Sequence, residues 1–276
     1  MEAIVARKMW RTLEPYHGLI YFAPEGHQRY EALGVHGFSG YFASRGAAMG
    51  AVSSAVIEAT FFNFAPHVVR DAIPAAWAAA SPEQLIAARL EAADAALRRI
   101  IGDDVDGAEM ARAAELAEVA ARAVDTDGRP IAAALVALDW PLPAHLALWH
   151  AIAILREYRG DGHIACLVTH QIDGLESLVL HAAMGEIPRD ALLMTRGWPV
   201  EQWDAAVERL AARGLVDAEG EFTEHGRAVR DGIEAQTDEL ALSPWATLGI
   251  EDCDELRSLV RPWSRAIVAG GTFGFG

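Results

Sequence analysis

Basic charge is what this 276-residue sequence has least of. It holds 23 Lys and Arg against 39 Asp and Glu, a formal net charge of −16, and Lys8 is its only lysine. Binding to phosphate backbones is carried by clustered basic charge, so this balance argues against nucleic acid as the main partner. Cysteine is nearly absent too. Cys166 and Cys253 form neither a disulfide framework nor a metal spacing, which fits a reducing compartment. No apolar run approaches the roughly 20 residues that a membrane helix needs. The opening MEAIVARKMWRTLEP has no apolar core of a signal peptide, so the expected location is the cytoplasm and no membrane partner is expected. Motif chemistry is equally sparse. Gly26, Gly34, Gly37 and Gly40 do not make GxGxxG after a strand, no GxSxG elbow is present, and no HExxH stands out. No dedicated metal site is expected. At 52% hydrophobic and 22% charged, the composition is globular.

What the sequence does contain is an internal echo. Residues 47–60 read AAMGAVSSAVIEAT and residues 182–195 read AAMGEIPRDALLMT. Ala47, Ala48, Met49, Gly50 and Thr60 match Ala182, Ala183, Met184, Gly185 and Thr195 at a fixed offset, 182 − 47 = 135. An ungapped match with a Thr ten residues on predicts duplicated helical halves, about 1–130 and 131–276, packed about a pseudo-two-fold. The fold expected is mainly α, each half with a winged-helix-like core. The N-terminal half is aromatic-rich and degenerate, and the wing is clear only in the C-terminal half.

The second half supports that reading locally. Pro199 suits a first helical position before VEQWDAAVERLAAR, and Gly214 suits its end. Leu215-Val216 and Phe222 read as two short strands about the turn Asp217-Ala218-Glu219-Gly220, and Thr223 caps the next helix. In the first half, Ser81-Pro82-Glu83-Gln84 is a capping box opening a long helix to about Ile101.

The motifs YFAPE (21–25), GYFASR (40–45), LALWH (146–150), REYRGDGHIA (156–165), TRGW (195–198) and RGLVDAEGEFTEHGR (213–227) resemble a bacterial helix-turn-helix family, also labelled SalK-like, across nearly the whole chain. The resemblance implies a winged-helix fold and brings no activity with it. In such a fold the segment PVEQWDAAVERLAAR would enter the major groove. Here it carries Glu201, Asp204 and Glu208, and the wing adds Asp217, Glu219, Glu221 and Glu224. Acidic reading surfaces favour a packing role for the winged helix.

Histidine is the strongest chemical signal. His145, His150, His163, His170 and His181 fall within 37 residues. Residues 163–183 read as one helix with Gly174 as its weak point, and Arg159-Gly160-Asp161-Gly162-His163 as the turn that precedes it. On one helix His163, His170 and His181 would share a stripe, too widely spaced along the axis for one metal. Imidazole titrates near neutrality, so His163 and His170 are the candidate acid–base pair. Asp161 or Glu176 would be the orienting carboxylate and Arg156 the anchor for an anionic group. The opposing reading is satisfied core histidines.

The first half supplies aromatics, eleven of them in residues 1–64. Tyr21, Phe42 and Phe62, with Arg45 and Asn63, are expected to wall a flat apolar ligand against Trp149, His150, Arg156 and His181. An aromatic core or a homodimer interface are the competing uses. The function expected is therefore binding of a hydrophobic, aromatic or polycyclic small molecule. The chemistry expected is cofactor-free isomerisation, cyclisation or hydrolysis in a metabolite pathway. Two alternatives stay open: a haem or other cofactor carrier with His170 or His181 as axial ligand, and a ligand-sensing regulator.

Overall fold

The computed structural model describes residues 1–273, and one helix organises them. α9, Ala144–Thr169, is buried on nearly every side. Its first half is apolar on all faces, which places it inside a bundle, and the buried charges of its second half, Glu157, Arg159 and Asp161, are each partnered there. Its Gly160-Asp161-Gly162 segment was expected to be a turn and is not. Two interior glycines cost about 1 kcal/mol each, which burial along 26 residues outweighs. Gly162 also has a packing reason: an added Cβ would meet the Arg129 guanidinium at 2.6 Å. Arg129 crosses α9 there and donates to the carbonyls of Tyr158 and Leu240.

Around α9 lie α1 (Ile4–Gly18), α7 (Ala108–Arg122) and α15 (Ile250–Ala269). The buried alanines of α7, among them Ala113, Ala117 and Ala120, allow close approach to α9. This largest core runs from Val5 to Ile267 and so draws on both sides of residue 130. A second core joins α2 (Pro24–Ala32), α3 (Phe38–Gly46), α5 (Pro66–Ala79) and α6 (Pro82–Ile101) around Tyr30, Val35 and Leu85. A third gathers α10 (Gly174–Ala182), α11 (Arg189–Arg196), α12 (Val200–Ala212) and α13 (Glu224–Leu240) around Trp203, Leu210 and Ile233. The remaining helices are α4 (Ser54–Phe61), α8 (Pro130–Val136) and α14 (Ser243–Leu248). The chain is mainly α, with no strand among the described residues. The expected wing reduces to one antiparallel bridge, Val216 to Phe222, with Asp217 N donating to Glu221 O at 2.9 Å. No described helix is long and apolar enough to cross a membrane.

Helix bounds in one stretch recur at the offset seen in the sequence. α4 shifted by 135 coincides with α11, and α3 and α5 fall within a residue or two of α10 and α12. The left-handed positions recur as well: Gly50 (φ 79°) with Gly185 (φ 76°), and Phe62 (φ 59°) with Gly197 (φ 73°). The two stretches also touch at corresponding residues, since Trp198 Nε1 donates to the Asn63 carbonyl at 2.9 Å. Outside them the correspondence stops. The region 4–32 is α1, a 3-10 turn and α2, where its counterpart is the unbroken α9.

The helix expected over 163–183 is broken at 170–173. Gln171 takes a positive φ of 55°. Asp173 then opens α10 through a capping box with Glu176: Asp173 Oδ1 accepts from Glu176 N at 2.8 Å, and Glu176 Oε2 accepts from Asp173 N at 3.1 Å. The three-histidine stripe is therefore severed.

Candidate functional site

The contacts of α3, α4 and the turn after it with α9, α10, α11 and α13 leave a cleft of about 450 Å³. One wall is aromatic: Tyr41, Phe61, Phe62 and Phe64, followed by Asn63. Ser53 starts α4, and the left-handed Phe62 ends it, which turns the Phe62 and Phe64 side chains into the cleft rather than along a continuing helix. The facing wall carries His163, Ile164 and Leu167 of α9, His181 of α10, Arg196 of α11 and Arg230 of α13.

Charge is concentrated here despite the acidic whole. Glu157, 2% exposed, accepts two bonds from Arg45 (Nε at 3.0 Å, Nη2 at 2.8 Å) and one from Arg156 (2.8 Å). Its carboxyl lies well below the usual range: burial pushes it up, and Arg45 and Arg156 outweigh that. Arg156 also donates to Glu14 (2.9 Å), and Arg159 pairs with Asp238 (2.7 Å) and Glu234 (3.1 Å). Arg230 pairs with Glu234. Of the five arginines in the lining, only Arg196 has no carboxylate partner among the described residues. Its Nε is buried without a hydrogen bond, and its guanidinium lies 4.8 Å over the Phe64 ring. Burial lowers its pKa, Tyr41 opposes, and Arg45 and Arg156 lower it further.

Two proton-carrying groups face the same space. Thr237 Oγ1 donates to Ile233 O at 2.8 Å, so its one proton is used. His163 Nδ1, 2.9 Å from that oxygen, must then be the donor, and His163 Nε2 carries the lone pair. Burial holds the ring neutral, its pKa pushed down to about 4 although Glu234 opposes. Tyr41 accepts from Arg45 Nη1 at 3.1 Å. Burial pushes its phenol up, but Arg45, Arg196 and Arg156 together bring it below its ordinary value.

The residues singled out in the sequence thus separate into groups. Arg45, Phe62, Asn63, Arg156, Asp161, His163 and His181 line the cleft. Arg156 is tied to two glutamates and is not the free anchor. Asp161 orients no histidine. Its Oδ2 accepts from Ile131 N and Ala132 N, both at 3.1 Å, and so caps α8 from outside that helix. Glu176 is likewise structural, closing the α10 box and pairing with Arg209 (3.0 Å). His170 lies beyond the cleft, against Gln236 at 3.1 Å, because α9 ends before it. Phe42 is fully buried in the core. Tyr21 belongs to a cluster with His17 and Arg89, and Trp149 and His150 line a different cavity. Arg196 and Tyr41 were the residues missed. Both stand in motifs that carried the family resemblance, GYFASR and TRGW, but a lone Arg at a helix end gives no signal of what its guanidinium packs against.

Four histidines are held neutral by burial, and this predicts acid lability. His17, His150, His163 and His181 all titrate below their ordinary value, desolvation being the first cause in each. The unfolded chain then takes up protons first. The stability they contribute is complete above pH about 6.5 and is lost as pH falls from there toward 4. His150, at 3% exposure and a pKa of about 4, should by itself account for about 2 kcal/mol lost between pH 7 and 5. Asp161 has the opposite sign. Burial raises it to about 6, so acidification over the same range returns about 1 kcal/mol. The net expectation is a urea midpoint that falls clearly between pH 7 and 5, and a flat or rising midpoint would contradict these burials.

A helix-turn-helix family model matches residues 6–274, and the chain belongs to that family. No curated protein and no solved structure matches it. The surface expected to read DNA, the outer face of α12, exposes Glu201, Gln202, Asp204 and Glu208. Its basic residues are already engaged: Arg209 with Asp173 (2.9 Å) and Glu176, and Arg213 with the carbonyls of Gln171 (2.8 Å) and His170 (2.9 Å).

Proposed function

We propose that the cleft binds a small apolar or aromatic acid and does proton-transfer chemistry on it. The observation that carries the reading is Arg196, a half-buried guanidinium beside a phenylalanine wall. Its Nε is buried and unpartnered, and its one hydrogen bond among the described residues is from Nη1 to the Thr195 carbonyl rather than to a carboxylate. A cation kept in that state costs stability unless a ligand supplies the anion. The acid's carboxylate would pair with Arg196, and its apolar body would lie along Phe61, Phe62 and Phe64. His163 Nε2 is the base. Alone it is weak, but an anion nearby favours the imidazolium and raises its pKa, so ligand binding itself prepares the ring to accept a proton. Tyr41, its phenol eased toward ionisation by three guanidiniums, is the partner that gives a proton back. Isomerisation or cyclisation of an unsaturated or aromatic acid fits these groups.

Titration calorimetry with phenylacetate and its uncharged amide tests the binding. Arg196→Gln should weaken the acid by about 10- to 100-fold, the worth of a charge-assisted pair, and leave the amide unchanged. The ligand-free variant should melt higher than the native protein, because an uncompensated charge is gone. Equal affinity for acid and amide would contradict the reading.

Family membership favours a second reading, a DNA-binding regulator that senses the same ligand. The acidic face of α12 weighs against it. A salt-dependent complex between the protein and its own promoter fragment would favour the regulator.

A further inference from the structure

Trp149 and His150 lie outside the cleft just described, in a second one of about 310 Å³ that shares only Arg45 with it. Its walls are apolar: Ile86 and Leu90 of α6, Leu135 and Leu138 at the end of α8, Pro141 and Trp149. Two buried polar side chains in it have unused bonding capacity. His150 is 3% exposed, and its Nε2 is buried without a hydrogen-bond partner. Arg89 is 7% exposed and donates to the Ser44 carbonyl (3.1 Å) and the Tyr21 hydroxyl (3.2 Å). Its guanidinium lies 5.1 Å from the Trp149 ring. Its Nη2 also lies 3.4 Å from His17 Nε2, and among the described residues none of its partners is a carboxylate, so its charge is solvated by dipoles and rings. The carboxylates of this cleft, Glu83 and Asp139, are on exposed residues.

A buried cation and an unmet imidazole nitrogen inside apolar walls are complementary to one kind of molecule: a single carboxylate on an apolar body. We propose that this second cleft is a binding site for a small aliphatic or aromatic monocarboxylic acid. The carboxylate sits on Arg89 and the His150 Nε2–H, and the apolar body lies against Leu90, Leu138 and Trp149. The size suits a ligand at the small end of the usual range. Glu83 and Asp139 add a selection rule. A second negative charge at the far end of the ligand would meet them, so a dicarboxylate of equal length is rejected. This site does not depend on the reading of the first cleft, because no residue proposed to act there, neither Arg196, His163 nor Tyr41, lines it.

Calorimetry with octanoate, octanol and the eight-carbon diacid suberate tests it, using the full chain with Arg196→Gln so that the first cleft's anchor is absent. Octanoate should still bind in that variant, at least tenfold more tightly than octanol or suberate. Adding Leu138→Trp, which fills the cleft from a partly exposed wall, should abolish binding without moving the melting temperature. Leu90→Trp serves as the second filling variant if Leu138→Trp unfolds. Adding Arg89→Gln should weaken octanoate at least tenfold. The proposal is overturned if octanoate fails to bind once Arg196 is replaced, if binding survives both filling variants, or if suberate binds as well as octanoate. An unchanged phenylacetate affinity in Arg196→Gln would instead count against the first cleft and leave this one standing.

Discussion

Gly174→Ala is expected to destabilise the protein by about 3 kcal/mol, out of proportion to a single methyl group. Gly174 is the first residue of α10, and it packs on the backbone of the turn after α4. A Cβ there would stand 2.0 Å from the Phe62 carbonyl oxygen and 3.1 Å from Asn63 Cα. Backbone atoms cannot swing aside as a side-chain tip can, so either α10 or the Phe62 turn must move. Both are walls of the cleft, and the variant should lose ligand affinity together with stability. The control is Gly232→Ala within α13, where the added methyl meets nothing within 4 Å. There the helix propensity of alanine should raise stability by up to about 1 kcal/mol. Urea unfolding of the two variants distinguishes steric contact from glycine replacement in general. Equal, small effects at both sites would show that the close approach at Gly174 does not exist.

Glu157→Gln is the second large expectation, about 3–5 kcal/mol lost. The substitution hardly changes volume, but it removes the one carboxylate shared by Arg45 and Arg156. Arg45 would be left without a carboxylate beside Arg196, Arg156 would keep only Glu14, and an amide cannot accept at both ends. The same charge logic predicts a signature that a packing defect would not give. With Glu157 neutral the cleft is more positive, so an apolar acid should bind the variant more tightly than the native protein. Saturating acid should then recover part of the lost stability, and thermal melts with and without phenylacetate measure that recovery. A destabilised variant that the acid does not rescue would mean that Glu157 supports the fold alone.

Much of this architecture was legible in residue pattern. The AAMG echo marked the one stretch where helix bounds and left-handed turns recur, because Gly50 and Gly185 end their turns with the same backbone need. Ser81-Pro82-Glu83-Gln84 read correctly as a cap, since a capping box is a local device. Asp173-Gly174-Leu175-Glu176 is the same device and was overlooked, because the histidine periodicity favoured an unbroken helix. The Arg-Gly-Asp-Gly segment misled in the other direction. Local propensity argued for a turn, and burial of α9 on all sides prevailed. Within the cleft, residue type indicated aromatics, histidine and arginine, and His163, Phe62 and Arg45 are among its lining. Which arginine is unpaired depends on contacts more than 100 residues apart, such as Arg45 with Glu157 and Arg156 with Glu14, and no spacing in the sequence encodes that.

The most direct measurement is a crystal structure of the native protein grown with phenylacetate. The account predicts the carboxylate within hydrogen-bond distance of the Arg196 guanidinium, with the ring against Phe61, Phe62 or Phe64. A cleft holding only water at saturating acid, with Arg196 turned out to solvent, would contradict it.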